Sequence, residues 1–135
     1  MDTYAIVRPE HLNHHGTLFG GQMLKWVDEH AWLAASVDYP GRHLVTRAMD
    51  RIEFRTAVPP GSILRFDIRR EHEGTTSVRY AVKVYALRSD AGIWRDETAV
   101  FSTSVTFACI DAEGRKRPLG QPAPAPSRQP YGGTP

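Results

Sequence analysis

Cysteine is scarce in this sequence, and long apolar runs are absent. The one cysteine, Cys109, cannot form an internal disulfide, and its alternating apolar neighbourhood predicts a thiol in the core. No segment has the roughly 20 consecutive apolar residues that cross a bilayer, and none has the pattern of a signal peptide. We therefore expect a cytoplasmic protein without membrane contact.

Net charge is also small. Seventeen basic and fifteen acidic side chains leave a formal charge of +2, which is too little to indicate nucleic-acid binding. The 135 residues are enough for one domain with a hydrophobic core. Proline and glycine concentrate at the end of the chain, in PLGQPAPAPSRQPYGGTP. We therefore predict a domain over residues 1–117 and a flexible tail over residues 118–135.

The hydrophobic pattern predicts one helix and several strands. Residues 20–37 have a helical period and stop before the YPG turn at 39–41. Alternating apolar and polar residues separated by turn residues predict an antiparallel sheet. Its strands are expected at residues 3–8, 43–58, 62–70, 77–88 and 93–111. One helix packed on such a sheet is an α+β arrangement.

Asp28 falls on an apolar side of the predicted helix. On a helical wheel it lies within about 60° of Gly21, Leu24, Ala31, Trp32 and Ala35. Burial of an unpaired carboxylate costs several kcal/mol or raises its pKa. Asp28 is therefore either a functional group or a helix-edge carboxylate that is solvated or paired with Lys25. The wheel leaves both interpretations open.

A second apolar face lies beyond a narrow polar strip of the same helix. It consists of Trp26, Leu33 and Val37. A helix that is apolar on nearly all sides is usually buried on nearly all sides. We expect a sheet to cover one face and a partner subunit to lie near the other. His30 lies opposite Asp28 on the wheel, so we expect a surface or interface histidine there.

A histidine-rich segment and a glycine pair precede the helix. His11, His14 and His15 suggest a metal site, but no cysteine or carboxylate nearby completes a converging ligand set, so we predict no metal. Gly20 and Gly21 begin the helix at the positive end of its dipole. Their backbone N–H groups could bind a phosphate or an oxyanion, although glycine pairs serve close packing equally well. The spacing matches no nucleotide-binding fingerprint.

The segment NHHGTLFGGQMLKWVD, residues 13–28, resembles the signature of the hot-dog-fold acyl-CoA thioesterases. The resemblance is to the bacterial YciA-type acyl-CoA hydrolases and to the tandem-domain cytosolic acyl-CoA hydrolases of animals. Their pattern is N-x-x-G-x-x-F/H-G-G, then six residues and an acidic residue, and this sequence matches it without a gap. The similarity continues through residues 45–64, 73–86 and 111–119 and covers nearly all of residues 3–119.

This resemblance implies the hot-dog fold, a long antiparallel sheet of five to six strands wrapped around one central helix. It implies hydrolysis of acyl-CoA to a free carboxylic acid and CoA, with no cofactor. It also implies a homodimer with active sites at the interface, assembled further into a tetramer or hexamer. Asp28 would act as general base or nucleophile. Asn13 of the partner subunit would face it, and the N–H of Gly20 or Gly21 would polarise the thioester carbonyl.

The same resemblance implies a binding site for the CoA moiety. The residues expected there are Gly74, Thr75, Thr76, Ser77, Arg115 and Arg117, with the loop along pantetheine or phosphates and the arginines on nucleotide phosphates. His15 stands where the family often has a small polar residue, so its role stays open.

Two other functions remain compatible with the pattern. One is a non-catalytic acyl-CoA-binding or regulatory module, and the other is a hot-dog dehydratase that pairs His14 or His15 with an acid. An intact Asn13 and Asp28 favour the hydrolase. The pattern does not encode the length of the acyl chain, for which the candidate wall residues are Trp32, Met49 and Phe54.

Overall fold

One long helix and five strands make up the part of the chain that the structure describes. The structure is a computed structural model covering residues 1–90 and 93–124, and the side chains of residues 88–98 are outside the description. The elements are β1 (Asp2–Ile6), a 3-10 helix (Pro9–His11), α1 (Gly20–Asp38), β2 (Leu44–Phe54), β3 (Ile63–Glu73), β4 (Ser77–Asp90) and β5 (Ile93–Cys109). The predicted α+β class is confirmed.

The strands form a single antiparallel sheet in the order β1-β3-β4-β5-β2. β3, β4 and β5 pair in sequence, so that Phe66 lies opposite Val84 and Val84 opposite Phe101. β1 adds to the outside of β3, with Thr3 opposite Phe66. β2 pairs with β5 at the other side through two register shifts. The two edges of the sheet are therefore β1 and β2.

The core lies between α1 and one face of the sheet. Cys109 is 1% exposed within it, as its alternating neighbourhood predicts. Because strand side chains alternate between the two faces, every second residue of the central strands points into this layer. The buried residues include Phe66, Tyr80, Phe101 and Phe107 from the sheet and Val27, Ala31 and Ala35 from the helix.

Local backbone contacts fix both ends of α1. At the start, the carbonyl of Phe19 accepts the N–H groups of Gln22 and Met23, and the N–H of Leu18 bonds to the carbonyl of Val58. The entry to the helix is thereby attached to the segment that follows β2. At the other end, Pro40 cannot continue a helix, and the chain turns immediately into β2.

The packed domain continues past the predicted boundary at residue 117. Leu119 is 1% exposed, its N–H donates to the carbonyl of Thr75, and its carbonyl accepts Nε of Arg42. The N–H of Ala123 bonds to the carbonyl of Asp38 at 2.6 Å. A single buried leucine thus anchors a segment that its proline-rich composition predicted to be flexible. The rest of the predicted tail, residues 125–135, lies outside the described part.

The β2 edge exposes apolar side chains. Ile52 is 42% exposed and Phe54 is 56% exposed. Arg51 has a φ of 54° at a register shift, which is the geometry of a bulge in the edge strand. On α1, Trp32, Leu33 and Val37 are each 44% exposed. Among the described residues, no helix combines the length and the apolar character that crossing a membrane requires.

Candidate functional site

Asp28 lies in the middle of α1 at the border between the buried face and the side next to β2. Its side chain is half-buried, and its Oδ1 accepts a hydrogen bond from the hydroxyl of Thr46 on β2. Among the described residues, no second hydrogen bond or ion pair holds the carboxylate. Lys25 is not its partner, so the interpretation of Asp28 as a helix-edge ion pair is not supported. The threonine orients the carboxylate and leaves Oδ2 available.

Thr46 is the site residue that the sequence did not reveal. It is the third residue of β2, in a segment whose alternating apolar and polar residues predict only an ordinary strand. Pairing irregularity begins here, because the register between β2 and β5 shifts between Thr46 and Ala48. Thr46 could have been predicted to contact Asp28 only if the strand order had been known, because the order brings the start of β2 beside the helix.

Gly20 and Gly21 form the first two positions of α1, as predicted. The first N–H groups of a helix have no intrahelical acceptor. In the described part of the chain, the N–H groups of Gly20 and Gly21 also have no backbone acceptor outside the helix. A Cβ on Gly21 would lie 2.5 Å from the ring of Phe19, and a Cβ on Gly20 would meet the ring of Phe54 at 3.4 Å. Gly21 therefore serves close packing against Phe19, whereas the contact at Gly20 is an ordinary van der Waals distance, and both N–H groups remain unused donors.

A cavity of about 270 Å³, here called the N-terminal cavity, opens beside Gly20. Most of its wall is apolar. The wall includes Leu18, Gly20, Met23, Phe54, Val58 and Val100. Of the three residues expected to limit acyl length, Phe54 lines this cavity, whereas Trp32 and Met49 do not. The indole N–H of Trp32 instead donates to the carbonyl of Leu44 at 3.1 Å.

Asp28 and the glycine pair of one chain lie apart along the helix. Asp28 comes seven positions after Gly21, a rise of about 10 Å along a helix axis. An oxyanion donor and the attacking group must both lie about 3 Å from the same reacting centre. The two residues share the β2 side of α1, but a single chain does not bring them together.

Asn13 stabilises the turn before the helix. Its Oδ1 accepts the N–H groups of His15 at 2.9 Å and Thr17 at 3.2 Å, while Gly16 takes a φ of 80°. The rings of His14 and His15 stack at 3.9 Å, and both residues are exposed. No contact joins Asn13 to Asp28 within the described chain, so their predicted pairing across subunits stays a prediction.

His11 belongs to the local packing. Its Nδ1 accepts the N–H of Arg8 at 2.9 Å, and its ring meets Trp26 edge-on at 4.7 Å. Across the described residues, no three histidine, cysteine or carboxylate side chains converge as a metal site would require.

His30, for which the wheel predicted a surface or interface position, packs against strands of its own chain. Its Nδ1 is hydrogen-bonded to Thr3 on β1, and its ring lies 4.4 Å from that of Phe66 on β3. Burial lowers the pKa of His30 below its ordinary value of 6.5, and Glu29 opposes the shift. The wheel placed it opposite Asp28, but strand order was needed to see that β1 covers that side.

The predicted CoA-binding loop connects β3 to β4. The N–H of Gly74 bonds to the carbonyl of Ser77, while the carbonyls of Thr75 and Thr76 accept the N–H groups of Leu119 and Cys109. Gly74 and Thr75 line a cleft of about 470 Å³, here called the loop cleft, together with Pro118 and Gly120. The structure thus places this loop against the segment that follows β5.

Arg115 and Arg117 line a neighbouring cleft of about 640 Å³, here called the basic cleft, with Arg42, His43, Asp111 and Glu113. Arg115 pairs with Asp111 at 3.2 Å, and its backbone N–H lowers the pKa of that carboxyl. Arg117 also helps to lower this pKa by its charge, but it forms no ion pair in the described part of the chain. The structure therefore separates the two predicted arginines: the charge of Arg115 is already paired, and that of Arg117 is available.

A polar cluster closes the C-terminal end of α1. The hydroxyl of Tyr39 donates to Glu73 and that of Tyr80 to Asp38, each at 2.6 Å. Arg70 approaches Asp38 at 3.5 Å and so offsets a carboxylate placed at the negative end of the helix dipole. Burial, with the carboxylate hydrogen bonds, raises the pKa of both tyrosines.

Comparison with known proteins matches this arrangement to a family. The sequence profile of the Thioesterase superfamily matches residues 15–92, a range that runs from the turn before α1 through β4 and includes the glycine pair, Asp28 and Thr46. The chain belongs to the thioesterase superfamily. The match covers more than half of the chain.

Relatives of this thioesterase-superfamily chain are known as sequences and as structures. The acetyl-coenzyme A thioesterase of Mus musculus is 33% identical over 99 residues, which make up 73% of this chain and 18% of the mouse protein. A hexameric hot-dog-fold thioesterase of Campylobacter jejuni superposes with a TM-score of 0.76 at 30% identity, covering 86% of each chain. The predicted hot-dog fold is therefore confirmed, with five strands in the described part.

An acyl-CoA hydrolase from Staphylococcus aureus is also similar, at 26% identity and a TM-score of 0.77 over 87% of this chain and 70% of that one. Its structure contains butyryl-CoA, CoA and CoA disulfide. It has also been solved as variants in which an asparagine, an aspartate or a threonine is replaced by alanine.

Proposed function

We propose that this thioesterase-superfamily chain hydrolyses acyl-CoA thioesters. The observation that carries the proposal is the half-buried Asp28 carboxylate, held at one oxygen by Thr46 and open at the other. The activities for which the mouse and Staphylococcus relatives are named, acetyl-CoA thioesterase and acyl-CoA hydrolase, support the same chemistry. Because the chain spans only 18% of the mouse protein, the activity is a proposal for this chain.

In the proposed reaction, water adds to the thioester carbonyl carbon and the carbon–sulfur bond breaks. The products are a carboxylic acid and the CoA thiol, so the water supplies one oxygen and the proton for sulfur. As a general base, Asp28 takes the proton from the attacking water. As a nucleophile, it attacks the carbonyl carbon and expels the CoA thiolate, and water then hydrolyses the resulting mixed anhydride to the same products. Thr46 keeps the carboxylate oriented in both routes. No cofactor enters, and this absence remains a prediction, as does the cytoplasmic location.

The proposal includes a homodimer whose sites combine residues of both subunits. Three observations support it: the 10 Å helical separation of Gly21 from Asp28, the exposed β2 edge with Ile52 and Phe54, and the hexameric Campylobacter relative. The free N–H of Gly20 or Gly21 would hold the carbonyl oxygen of a thioester that Asp28 of the partner subunit attacks. Assembly into a tetramer or hexamer belongs to the same proposal.

The CoA moiety is proposed to lie at the opposite end of α1. The loop Gly74–Ser77 borders the loop cleft, and Arg117 lines the basic cleft with an unpaired charge. Guanidinium groups bind phosphates through paired N–H donors. We assign Arg117 to the phosphates ahead of Arg115, whose charge Asp111 and Glu113 already offset.

The test is release of free CoA from an acyl-CoA panel, followed with a thiol reagent. Asp28→Asn is expected to lower kcat/KM by about 10²–10⁴-fold, since a positioned base contributes that much. Glu29→Gln changes the adjacent, exposed carboxylate of the same helix and serves as the matched control. Thiol release that is absent for every chain length, with CoA still bound, would indicate a binding module instead. Full activity of Asp28→Asn would refute the mechanism.

Shared sites can be tested by mixing variants. Gly20→Pro removes one candidate N–H donor at a helix position that accepts proline, and Asp28→Asn removes the carboxylate. If each site combines two subunits, randomly mixed dimers should recover about a quarter of the wild-type activity. No recovery, with subunit exchange confirmed by mass spectrometry, would place both groups on one chain.

A further inference from the structure

The N-terminal cavity differs from the other clefts of the described chain in the chemistry of its wall. The loop cleft and the basic cleft are lined largely by glycine, polar and charged residues. The apolar wall of the N-terminal cavity consists of Leu18, Met23, Phe54, Ala57 and two buried valines, and its polar side chains are Thr17, Arg55 and Thr56. Apolar concave walls with a few polar groups at the mouth are typical of sites for small apolar ligand groups.

The position of this cavity relates it to the reacting carbonyl. Gly20 is part of its wall and also offers one of the two free N–H groups at the start of α1. An acyl chain begins at the carbonyl carbon, so a carbonyl oxygen bound at this N–H directs the first methylenes into the cavity. This step depends on the proposed thioester hydrolysis.

Arg55, the charged residue on the wall of the cavity, is not evidence for a charged substrate. Arg55 forms an ion pair with Glu53 at 3.0 Å and donates to the hydroxyl of Ser102 at 3.3 Å. Its charge is therefore already offset. The remaining wall favours an unsubstituted hydrocarbon chain over one that ends in a carboxylate.

The floor of the cavity is closed by core residues. Met23 is 2% exposed, Val58 is 4% exposed and Val100 is 6% exposed. Protein cores are close-packed, and insertion of extra methylenes costs about 1–3 kcal/mol. A chain longer than the cavity must therefore displace buried side chains or remain partly in water.

From the volume we infer that the substrate class is acyl-CoA with a short to medium hydrocarbon chain, and that Met23 sets the upper limit. A methylene group occupies about the volume of a water molecule, about 30 Å³. The cavity of about 270 Å³ therefore has room between its walls for an acyl group of about eight carbons. Palmitoyl, with twice as many carbons, extends beyond these walls.

The experiment measures kcat/KM with acetyl-, butyryl-, hexanoyl-, octanoyl-, dodecanoyl- and palmitoyl-CoA. The expected profile rises to hexanoyl or octanoyl and falls at least about tenfold for palmitoyl, since each methylene outside a fitted pocket loses binding. Met23→Ala deepens the floor and should move the maximum to dodecanoyl. Palmitoyl hydrolysed as fast as octanoyl by the wild-type protein would overturn the inference, while an inactive protein across the panel would overturn the proposed function.

Val27→Ala is the matched control for Met23→Ala. Val27 is fully buried one helical turn further on, but it does not line the cavity. Both variants truncate the core, and only Met23→Ala should change the chain-length profile; identical profiles would overturn the assignment of Met23.

If Met23→Ala does not fold, Ala57→Leu tests the same space from the exposed wall. It should lower octanoyl-CoA hydrolysis about tenfold more than acetyl-CoA hydrolysis. Equal effects on both substrates would overturn the inference.

Discussion

The two ends of helix α1 are built in opposite ways. At the N-terminal end, two glycine N–H groups have no backbone acceptor in the described chain, a cavity opens beside them, and Phe54 is more than half exposed. At the C-terminal end, two buried tyrosine hydroxyls, Arg70 and the backbone of Ala123 satisfy the polar groups around Asp38 and Glu73. One end leaves hydrogen-bonding capacity unused, and the other uses nearly all of it.

This difference separates reactivity from stability along one element. Free N–H donors beside an apolar concave surface are groups to which a ligand can bind, so we assign the proposed chemistry to this side of the helix. A satisfied polar cluster fixes the helix against the sheet and keeps Asp28 at a constant position between the two ends. We therefore expect changes at the open side to alter rates and changes at the closed end to alter unfolding.

The largest effect in this comparison is expected for Thr46→Val. Loss of a hydrogen bond to a charged group is worth about 1.5–3 kcal/mol, so kcat should fall about 10- to 100-fold. The melting temperature should change little, because β2 is an exposed edge strand. Ser62→Ala removes another exposed hydroxyl bond, to the carbonyl of Pro59, and is the control. An unchanged kcat would remove Thr46 from the mechanism.

Tyr39→Phe and Tyr80→Phe test the closed end. Each removes a buried hydroxyl that donates to a carboxylate, so the free energy of unfolding should fall by about 1–2 kcal/mol in urea titrations. The kcat of both folded variants should equal that of the wild type. A tyrosine variant that lowers kcat as much as Thr46→Val would break the distinction between the two ends.

Arg117→Ala should act on binding alone. Its unpaired charge borders the basic cleft, so KM for acyl-CoA should rise about three- to tenfold while kcat stays constant. Arg115→Ala, at a charge already paired with Asp111 and Glu113, is the matched comparison and should have a smaller effect. Equal KM values for the two variants would contradict the assignment of Arg117.

The smallest effect concerns His30 and pH. Burial lowers its pKa in the folded state, so the unfolded chain binds the proton first as the pH falls through 6.5. Stability is therefore complete above 6.5 and decreases from there down to the folded-state pKa. His30→Gln should reduce this pH dependence, measured by urea titrations above and below pH 6.5. The resulting change in the free energy of unfolding should be smaller than that caused by the tyrosine substitutions. His72→Gln, at an exposed histidine, is the control. If the free energy of unfolding depends on pH equally in the two variants, His30 is not the cause of the decrease.

The elements of the fold were predictable because periodicity is a local property. The helix was expected to end at residue 37 and ends at Asp38, and the glycine pair begins it as predicted. The place of β1 next to β3 was not predictable, because strand order depends on pairing between distant segments. Because β1 lies next to β3, His30 packs against the sheet of its own chain.

The position of Asp28 on an apolar side of the helix was predictable, and the residues that contact it or fix the helix end were not. Asp28 is conspicuous because a charge on an apolar face is rare, whereas Thr46 and Tyr39 have the chemistry of ordinary strand and helix-end residues. The segment after residue 117 was predicted to be flexible because its average composition is rich in proline. The buried side chain of Leu119, which anchors its first part, is not visible in such an average. Local patterns therefore identified the unusual group, and three-dimensional contacts were needed for the residues that hold it.

The return of the chain to the C-terminal end of α1 has a consequence for labelling. The hydrogen bond between Ala123 and Asp38 holds residue 123 at the end of α1 far from the N-terminal cavity. A reporter joined directly after residue 123 would therefore begin at the end of the helix opposite to the entrance of that cavity.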